Sequence, residues 1–270
     1  MSVPAIKASR LSDAGPAAPV LVAGPSLGTA VTPLWSRTAA ALDTFTVIGW
    51  DLPGHGASPA AAGAFSVEDL AAGVANLVNG ARNAGDIAPE APVYYAGVSL
   101  GGAVGLQLAL DHGELFQAVA VLCSGAKIGD ADGWAERGET VRVQGTPTQV
   151  VGSGQRWFAP GFMEREPAAA SALLHSLQNA DRFSYAFCCS ALAGFDVRGR
   201  LADITVPVLA VAGAQDVVTP PSFAELIADR VTNGTAAVVE DAAHLVPVEQ
   251  PGRTADLLKD FFGTQYPEGK

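Results

Sequence analysis

Positively charged residues are scarce in this sequence. Its 270 residues include 16 lysines and arginines against 27 aspartates and glutamates, which gives a formal net charge of −11 at pH 7. Proteins that bind nucleic acid neutralise phosphates with a cationic face, so this composition argues against a nucleic-acid partner. An anionic small molecule would need a local positive group in this acidic chain.

Cysteine is also rare. Of the three cysteines, Cys188 and Cys189 are adjacent, and three cannot complete a disulfide framework, so we expect a reducing, cytoplasmic location. The third, Cys123, lies at a predicted strand end and is interpreted as a buried thiol. No cluster of cysteine and histidine has the spacing of a metal site, and no phosphate-binding loop is present. We therefore expect no metal and no organic cofactor.

Long apolar runs are nearly absent. The first fifteen residues carry Lys7, Arg10 and Asp13 and lack the apolar run of a secretory signal. Residues 91–110 carry no charge, but proline and glycines interrupt them and the pattern changes from strand-like to helix-like. This segment therefore predicts a buried strand, turn and helix rather than a membrane span. We expect a protein outside the membrane, acting as a monomer or small homo-oligomer.

Short apolar runs alternate with helical patterns along most of the chain. The strand candidates are residues 20–23, 45–50, 93–97, 118–122, 208–212 and 236–239, and the helix candidates are 67–82, 100–111, 222–231 and 253–262. Most strand candidates are apolar at nearly every position, as is typical of strands that are covered on both faces. The alternation predicts an α/β fold with a mostly parallel, twisted sheet and helices on both faces. Residues 1–19 could add an antiparallel edge hairpin.

The alternation stops between residues 125 and 203, where aromatic residues are scattered through segments with helical patterns. We interpret this interval as a helical cap, inserted after the sixth strand and covering the carboxyl edge of the sheet, where open α/β sheets bind ligands. Residues 1–124 and 204–270 would then form the core. The alternative is an independently folding second domain, which is less favoured because the interval has no obvious core of its own.

The segment Gly97-Val98-Ser99-Leu100-Gly101 joins a strand candidate to a helix candidate. In the turn called a nucleophile elbow, a serine has strained dihedral angles, and side chains two residues to either side would collide with neighbouring backbone. The glycine pattern alone is weak, but its position between strand and helix makes Ser99 a candidate nucleophile. The alternative is a purely structural glycine turn.

A serine nucleophile needs a base and an acid that orients the base. His244 follows the last strand candidate, and Asp216 follows the candidate at 208–212. The chain order Ser99, Asp216, His244 is that of the triads of α/β-hydrolases. Two other acids precede that strand and are weaker candidates, Asp196 and Asp203. The remaining histidines fit structural roles: His55 in a turn-rich loop, His112 at a helix end, and His175 in the predicted cap.

An acyl-transfer site also needs two backbone N–H groups that face the developing oxyanion. The amide of Leu100, directly after the candidate nucleophile, is one. The loop at residues 24–29 should provide the other, and Leu27 is the candidate.

These motifs resemble the 3-oxoadipate enol-lactonases, a family of the α/β-hydrolase superfamily that acts in aromatic compound degradation by the beta-ketoadipate pathway. The similarity runs from about Val20 to the last helix, and it is carried by Ser26-Leu27-Gly28-Thr29 with Trp35, and by residues 51–58, 97–102, 191–198, 207–221 and 241–251. The Ser-Leu-Gly-Thr loop is the most specific of these, although Pro25 stands where family members usually have Asn.

The resemblance implies hydrolysis of a small anionic lactone by the triad through an acyl-enzyme. It also implies that Arg137, in Trp134-Ala135-Glu136-Arg137, receives the substrate carboxylate with Trp134 beside it. A guanidinium binds carboxylates in a fork geometry, which would supply the local positive group. The alternative for Arg137 is a solvated helix residue paired with Glu136 or Glu139, and the alternative for Trp134 is a residue that only packs within the cap. A general carboxylesterase, a cofactor-free perhydrolase and a non-catalytic ligand receptor remain open alternatives, because fold does not fix function.

Overall fold

The computed structural model describes residues 2–265, in which seven strands form a single sheet. The strands are β1 (Lys7–Ser12), β2 (Val20–Gly24), β3 (Thr46–Asp51), β4 (Val93–Val98), β5 (Val119–Leu122), β6 (Val208–Gly213) and β7 (Gly234–Val239). Their order in the sheet is β1-β3-β2-β4-β5-β6-β7. Strand β1 is antiparallel to β3, and the other five pairs are parallel.

Each of the six apolar strand candidates forms a strand. Every residue of β2 to β6 is buried, which explains why these segments are apolar throughout instead of alternating. The predicted α/β fold with a mostly parallel sheet is therefore confirmed. Residue 1 and residues 266–270 of the predicted core lie outside the described residues.

The helices of the described chain, apart from three short 3₁₀ turns, are α1 (Val31–Ala41), α2 (Val67–Ala84), α3 (Leu100–Asp111), α4 (Ala131–Gln144), α5 (Val150–Trp157), α6 (Phe162–Arg165), α7 (Pro167–Asn179), α8 (Arg182–Gly194), α9 (Pro221–Arg230), α10 (Val246–Glu249) and α11 (Pro251–Gln265). Helix α2 shows how sequence sets the ends. Ser66 and Asp69 form a reciprocal capping box at its start, and Gly85 ends it in the left-handed conformation, with φ 81°.

The predicted N-terminal hairpin is wrong for the described residues, since only β1 forms there. Pro16 and Pro19 lack the amide hydrogen that a strand donates, and Gly15 has φ 102°, so the chain turns back before a second strand can pair. As a result, the helical insertion follows the fifth strand of the sheet instead of the sixth.

Helices α4 to α8 lie between β5 and β6. Within this group α4 packs along α8, and a Cβ on Gly138 would lie 3.2 Å from the Cβ of Cys189, so a small residue allows the two helices to approach. The buried apolar side chains of these helices belong to one cluster with those of the sheet, among them Val141, Trp157 and Leu173. Within residues 2–265, no helix combines the length and apolar character needed to cross a membrane.

Candidate active site

Ser99 lies at the sharp turn between β4 and α3, with φ 56° and ψ −114°. A Cβ on Gly97 would lie 2.2 Å from the carbonyl oxygen of Gly101, and a Cβ on Gly101 would lie 2.5 Å from that of Pro25. Both distances are shorter than any real contact of a Cβ, so only glycine fits at either position. The turn therefore has the backbone geometry of a nucleophile elbow.

Backbone strain in the described chain is concentrated at one edge of the sheet. Apart from glycines, three residues there have positive φ: Ser99, Cys123 and Asp241. They follow β4, β5 and β7, three parallel strands whose carboxyl ends share this edge. Such strain persists only where the surrounding structure holds it, and it is typical of functional sites.

Neighbouring backbone holds the elbow in place. The Ser99 amide donates to the carbonyl oxygen of Leu122 at 2.9 Å, and the Ser124 hydroxyl donates to the carbonyl oxygen of Ser99 at 2.7 Å. From inside the sheet, the Tyr95 hydroxyl donates to the Gly101 carbonyl oxygen at 2.8 Å. The position of Ser99 is thus fixed by β4, by β5 and by the first turn of α3.

His244 and Asp216 form a buried pair at the same edge. The distance from His244 Nδ1 to Asp216 Oδ2 is 2.8 Å, and each residue is 3% exposed. Thr219 donates its hydroxyl to Oδ2 at 2.8 Å, while the amides of Val218 and Thr219 donate to Oδ1 at 2.8 and 3.1 Å. When the Asp216 carboxylate accepts a hydrogen bond from Nδ1–H, the proton of the neutral imidazole stays on Nδ1. The other ring nitrogen, Nε2, is then free to accept a proton.

The charge state of Asp216 follows from these contacts. Burial acts to raise its pKa, but the charge of His244 and the hydrogen bonds from His244 and Thr219 outweigh burial, so the pKa lies below its ordinary value. Asp216 is therefore ionised at neutral pH and can stabilise an imidazolium.

The loop after β7 brings His244 to Asp216. This loop passes directly over the end of β6, because a Cβ on Gly213 would lie 2.0 Å from the carbonyl oxygen of Ala243. The glycine that ends β6 is thus what allows the two loops to meet.

The predicted oxyanion loop lies beside the elbow, since Gly24 of β2 pairs with Gly97 of β4. Trp35 Nε1 donates to the Gly24 carbonyl oxygen at 2.9 Å, and the Gly101 amide donates to the Pro25 carbonyl oxygen at 2.9 Å. Pro25, the departure from the family pattern, thus ties the loop to the elbow through its carbonyl group.

Two amides near Ser99 remain available to a ligand. Within residues 2–265, neither the Leu27 nor the Leu100 amide donates a hydrogen bond. Ser26 and Thr29 close the loop around Leu27, with the Thr29 amide donating to the Ser26 carbonyl oxygen at 3.0 Å. These are the two donors expected for an oxyanion hole.

The helices between β5 and β6 contact this edge directly. Gly28 of the oxyanion loop has φ 87°, and a Cβ there would lie 2.7 Å from Leu177 Cδ1 and 3.4 Å from Trp157 Cζ2. The His244 amide donates to the carbonyl oxygen of Trp157 at 3.1 Å. Side chains of α5 and α7 thus cover the strand ends that hold the candidate catalytic residues.

Arg137, on α4, is partly buried and lies against two aromatic rings. Its guanidinium carbon is 5.3 Å from the ring centroid of Trp134 and 5.5 Å from that of Tyr185, and Nη2 donates to the Tyr185 hydroxyl. Glu139, which the sequence offered as an ion-pair partner, binds Arg142 instead, at 2.8 Å. Arg137 has no ion pair within residues 2–265 and its Nε has no partner there, so it can bind an external anion.

The guanidinium of Arg156 lies close enough to that of Arg137 for the two charges to interact. Burial lowers the pKa of Arg156, and the positive charge of Arg137 lowers it further. Within the described residues Arg156 forms no ion pair either. In a chain with a net charge of −11, this part of the insertion thus holds two neighbouring guanidinium groups without ion-pair partners in the described residues.

The other candidates from the sequence are not suited to this chemistry, although Cys123 borders the His244 loop. His55 is buried, donates Nδ1–H to the Pro53 carbonyl oxygen at 2.9 Å, and burial lowers its pKa to about 4. Burial raises the pKa of the Cys123 thiol well above its usual value, so that thiol is inert. Two of the remaining candidates form ion pairs with arginines at the surface, Asp196 and Asp203. His112 is the C-cap residue of α3, and His175 is exposed.

Sequence reasoning missed several residues of the site. Hydroxyl residues are common, so neither Tyr185 nor Thr219 stood out in the sequence. The partner of Tyr185, Arg137, is distant in the chain, and the contact of Thr219 with Asp216 is evident only in the folded loop. Glu249 gave no signal either, because only its burial in the folded chain distinguishes it from other acidic residues. Within residues 2–265, no group of three or more His, Cys, Asp or Glu side chains is arranged to hold a metal ion.

Comparison with known proteins identifies the family. A model of the Alpha/beta hydrolase family matches residues 20–257. The chain belongs to the α/β-hydrolase family. This hydrolase is 37% identical over 233 residues to 3-oxoadipate enol-lactonase 2 of Acinetobacter baylyi, with 86% of this chain and 84% of that protein covered. It is 31% identical over 245 residues to 3-oxoadipate enol-lactonase 1 of the same species, with 90% and 88% covered.

A solved structure agrees with the sequence comparisons. The crystal structure of the enol-lactonase from Burkholderia xenovorans LB400 matches with a TM-score of 0.86 and 29% identity, covering 96% of each chain. The predicted resemblance of the hydrolase to enol-lactonases is therefore confirmed.

Proposed function

We propose that this hydrolase opens 3-oxoadipate enol-lactone to 3-oxoadipate, in the degradation of aromatic compounds, using Ser99, His244 and Asp216 as its catalytic triad. The choice of substrate rests on the state of Arg137, whose guanidinium is partly buried and has no acidic partner in the described chain. A neutral ester would not need that charge, whereas a lactone with a free carboxylate would. The two enol-lactonases of Acinetobacter baylyi support the same choice.

In the first half of the reaction, His244 removes the hydroxyl proton of Ser99 while the ionised Asp216 stabilises the imidazolium. Ser99 Oγ attacks the lactone carbonyl carbon, and the amides of Leu27 and Leu100 donate to the oxyanion. When the tetrahedral intermediate collapses, the ring C–O bond breaks. The leaving enolate oxygen takes the proton from His244, and the enol ketonises to the 3-oxo acid, which is still esterified to Ser99.

In the second half, His244 acts as a general base toward water. The hydroxide equivalent attacks the acyl carbon, the same two amides stabilise the second oxyanion, and the proton returns to Ser99 as the ester breaks. The product carries two carboxylates, one from the original substrate and one from the lactone. No step requires a metal or an organic cofactor.

We assign residues 125–203 as a cap and residues 1–124 with 204–270 as the core. The cap would supply substrate binding through Arg137 and Trp134 and would exclude water from the strand ends. Its apolar side chains share one cluster with the sheet, which favours a dependent cap over an independent domain.

The test is turnover of 3-oxoadipate enol-lactone beside p-nitrophenyl acetate, with Ser99→Ala as the control. We expect rapid opening of the lactone, slow cleavage of the neutral ester, and loss of both activities in Ser99→Ala. Equal efficiency on both substrates would discard the lactone and favour a general carboxylesterase or perhydrolase. Tight binding of the lactone without turnover would favour a ligand receptor.

A further inference from the structure

Glu249 is a buried carboxylate, 7% exposed, that the proposed reaction does not use. Its Oε1 accepts hydrogen bonds from the amides of Ala243 at 2.9 Å and Leu245 at 3.3 Å, the residues on either side of His244. Its Oε2 accepts from the amide of Ala159 at 2.6 Å, just beyond the end of α5. One side chain thus connects both flanks of the His244 loop to the cap.

The bond from the His244 amide to the Trp157 carbonyl oxygen completes this arrangement. All three consecutive amides from Ala243 to Leu245 therefore have fixed partners, two on Glu249 and one on the cap. These contacts fix the backbone of His244, whereas the pair with Asp216 holds only one nitrogen of the ring. Together they restrict the position of the imidazole more than the pair with Asp216 would alone.

Burial of the ionised Glu249 carboxylate is unfavourable for the stability of the fold. Burial raises the pKa of Glu249, and the three amide hydrogen bonds and the charge of His244 only partly offset that effect. Burying an ionised group opposes folding, so a role in stability alone does not explain Glu249. A role in placing the catalytic base does.

We infer that Glu249 is a positioning residue, which holds the His244 loop against Asp216 and fastens the cap segment at Ala159 over it. The inference rests on the proposed function, because it takes His244 as the base. Within residues 2–265, Asp216 contacts the His244 ring at 2.8 Å and Glu249 interacts with its charge, while the neutral thiol of Cys123 donates to the Ala243 carbonyl oxygen at 3.5 Å.

The two oxygens of Glu249 allow the connections to be separated. In Glu249→Gln, the amide oxygen can still accept from Ala243 and Leu245, but the NH₂ group then faces the N–H of Ala159. That variant therefore loses the connection to the cap and one negative charge. Glu249→Ala loses all three hydrogen bonds. Glu240→Gln is the matched control, because Glu240 is exposed and the substitution changes the net charge equally.

The experiment measures how fast a fluorophosphonate probe labels Ser99, together with amide hydrogen exchange at residues 157–159 and 243–245. We expect labelling to slow about tenfold in Glu249→Gln and about a hundredfold in Glu249→Ala, since small displacements of a base cost this much. Exchange at Ala159 should accelerate at least tenfold in Glu249→Gln while that at 243 and 245 changes less.

A purely structural role would accelerate exchange at these segments while the folded Glu249→Gln protein still labelled within twofold of the wild type, and that outcome would overturn the inference. If Glu249→Ala does not fold, Glu249→Gln still decides the question. The probe needs no lactone, so failure of the lactone assay alone would refute the proposed substrate and leave this result standing. If Ser99→Ala were labelled as fast as the wild type, both proposals would fall.

Discussion

The strand ends and the proposed cap hold their candidate functional groups in different ways. At the strand ends, Ser99 and His244 are fixed by main-chain hydrogen bonds, short loops and glycines that no other residue could replace. In the cap, Arg137 is held by two aromatic rings and one hydroxyl group. Groups that transfer protons require positions within a fraction of an ångström, whereas a guanidinium that binds a carboxylate tolerates more freedom.

This difference predicts which kinetic constant a substitution in each region should change. Changes at the strand ends should lower kcat and leave KM nearly unchanged, because they act on the transition state. Changes around Arg137 should raise KM for an anionic substrate and leave kcat, and the turnover of neutral esters, nearly unchanged. A substitution that changed the other constant would contradict this assignment of kcat to the strand ends and KM to the surroundings of Arg137.

The largest effect should come from Asp216→Asn. An amide cannot stabilise the imidazolium and favours the wrong tautomer of His244, so kcat should fall by about a thousandfold or more while KM changes little. Steady-state kinetics on the lactone measures both values. The control is Asp196→Asn, an exposed acid that pairs with Arg198, which should stay within twofold of the wild type. Retention of a tenth of the wild-type kcat would remove Asp216 from the triad.

Arg137→Ala should have the next largest effect. Loss of a charged hydrogen bond to the substrate carboxylate is worth roughly 1.5–3 kcal/mol, so KM for the lactone should rise about 10- to 100-fold. Cleavage of p-nitrophenyl acetate, which has no carboxylate, should be unchanged. Arg142→Ala is matched, since Arg142 lies on the same helix and pairs with Glu139 at the surface. An equal loss on both substrates would mean that Arg137 supports the cap instead of binding substrate.

The two regions also differ in how far sequence reasoning reaches. Strands that are covered on both faces must be apolar throughout, and the turns between them need glycine or proline, so the strands are predicted to within about two residues. Helix α3 begins and ends at the predicted residues, Leu100 and Asp111. The edge of the sheet is harder, because an edge strand needs no continuous apolar run, and the hairpin expected in residues 1–19 is a single strand.

The site shows the same limit more sharply. Ser99, Asp216 and His244 stand out because each follows a strand, so the topology of the sheet predicts that they share its carboxyl edge, and Asp216 does pair with His244 there. Tyr185 is 48 residues from Arg137, and only the packing of α4 on α8 brings them into contact. Contacts between helices of an insertion depend on side-chain shape, which periodicity does not encode.

Arg156→Ala should produce a smaller rise in KM, about threefold to tenfold, with kcat unchanged. Arg156 contributes positive charge near Arg137 but is half-buried and opposed by its neighbour, so its loss should also leave thermal stability unchanged or slightly higher. Thermal unfolding and lactone kinetics together test this combination. Arg165→Ala, an exposed residue of α6, is the control. A drop in both stability and kcat would show that Arg156 is a structural residue of the cap.

The finest comparison removes one hydroxyl group from each region. Tyr185→Phe keeps the ring beside Arg137 and the stacking with His55, whose centroid is 6.0 Å away, but loses the hydrogen bond to the guanidinium. Tyr95→Phe loses the 2.8 Å hydrogen bond to the Gly101 carbonyl oxygen in the elbow. The hydrogen bond of Tyr95 is neutral and worth about 1 kcal/mol, and that of Tyr185 involves a charged group and is worth about 1.5 kcal/mol or more. The effects should therefore be about fivefold for Tyr95→Phe and about tenfold for Tyr185→Phe. Tyr185→Phe should raise KM and Tyr95→Phe should lower kcat. If both variants changed the same kinetic constant, the cap and the strand ends would act as one unit, and the division of labour between them would have to be abandoned.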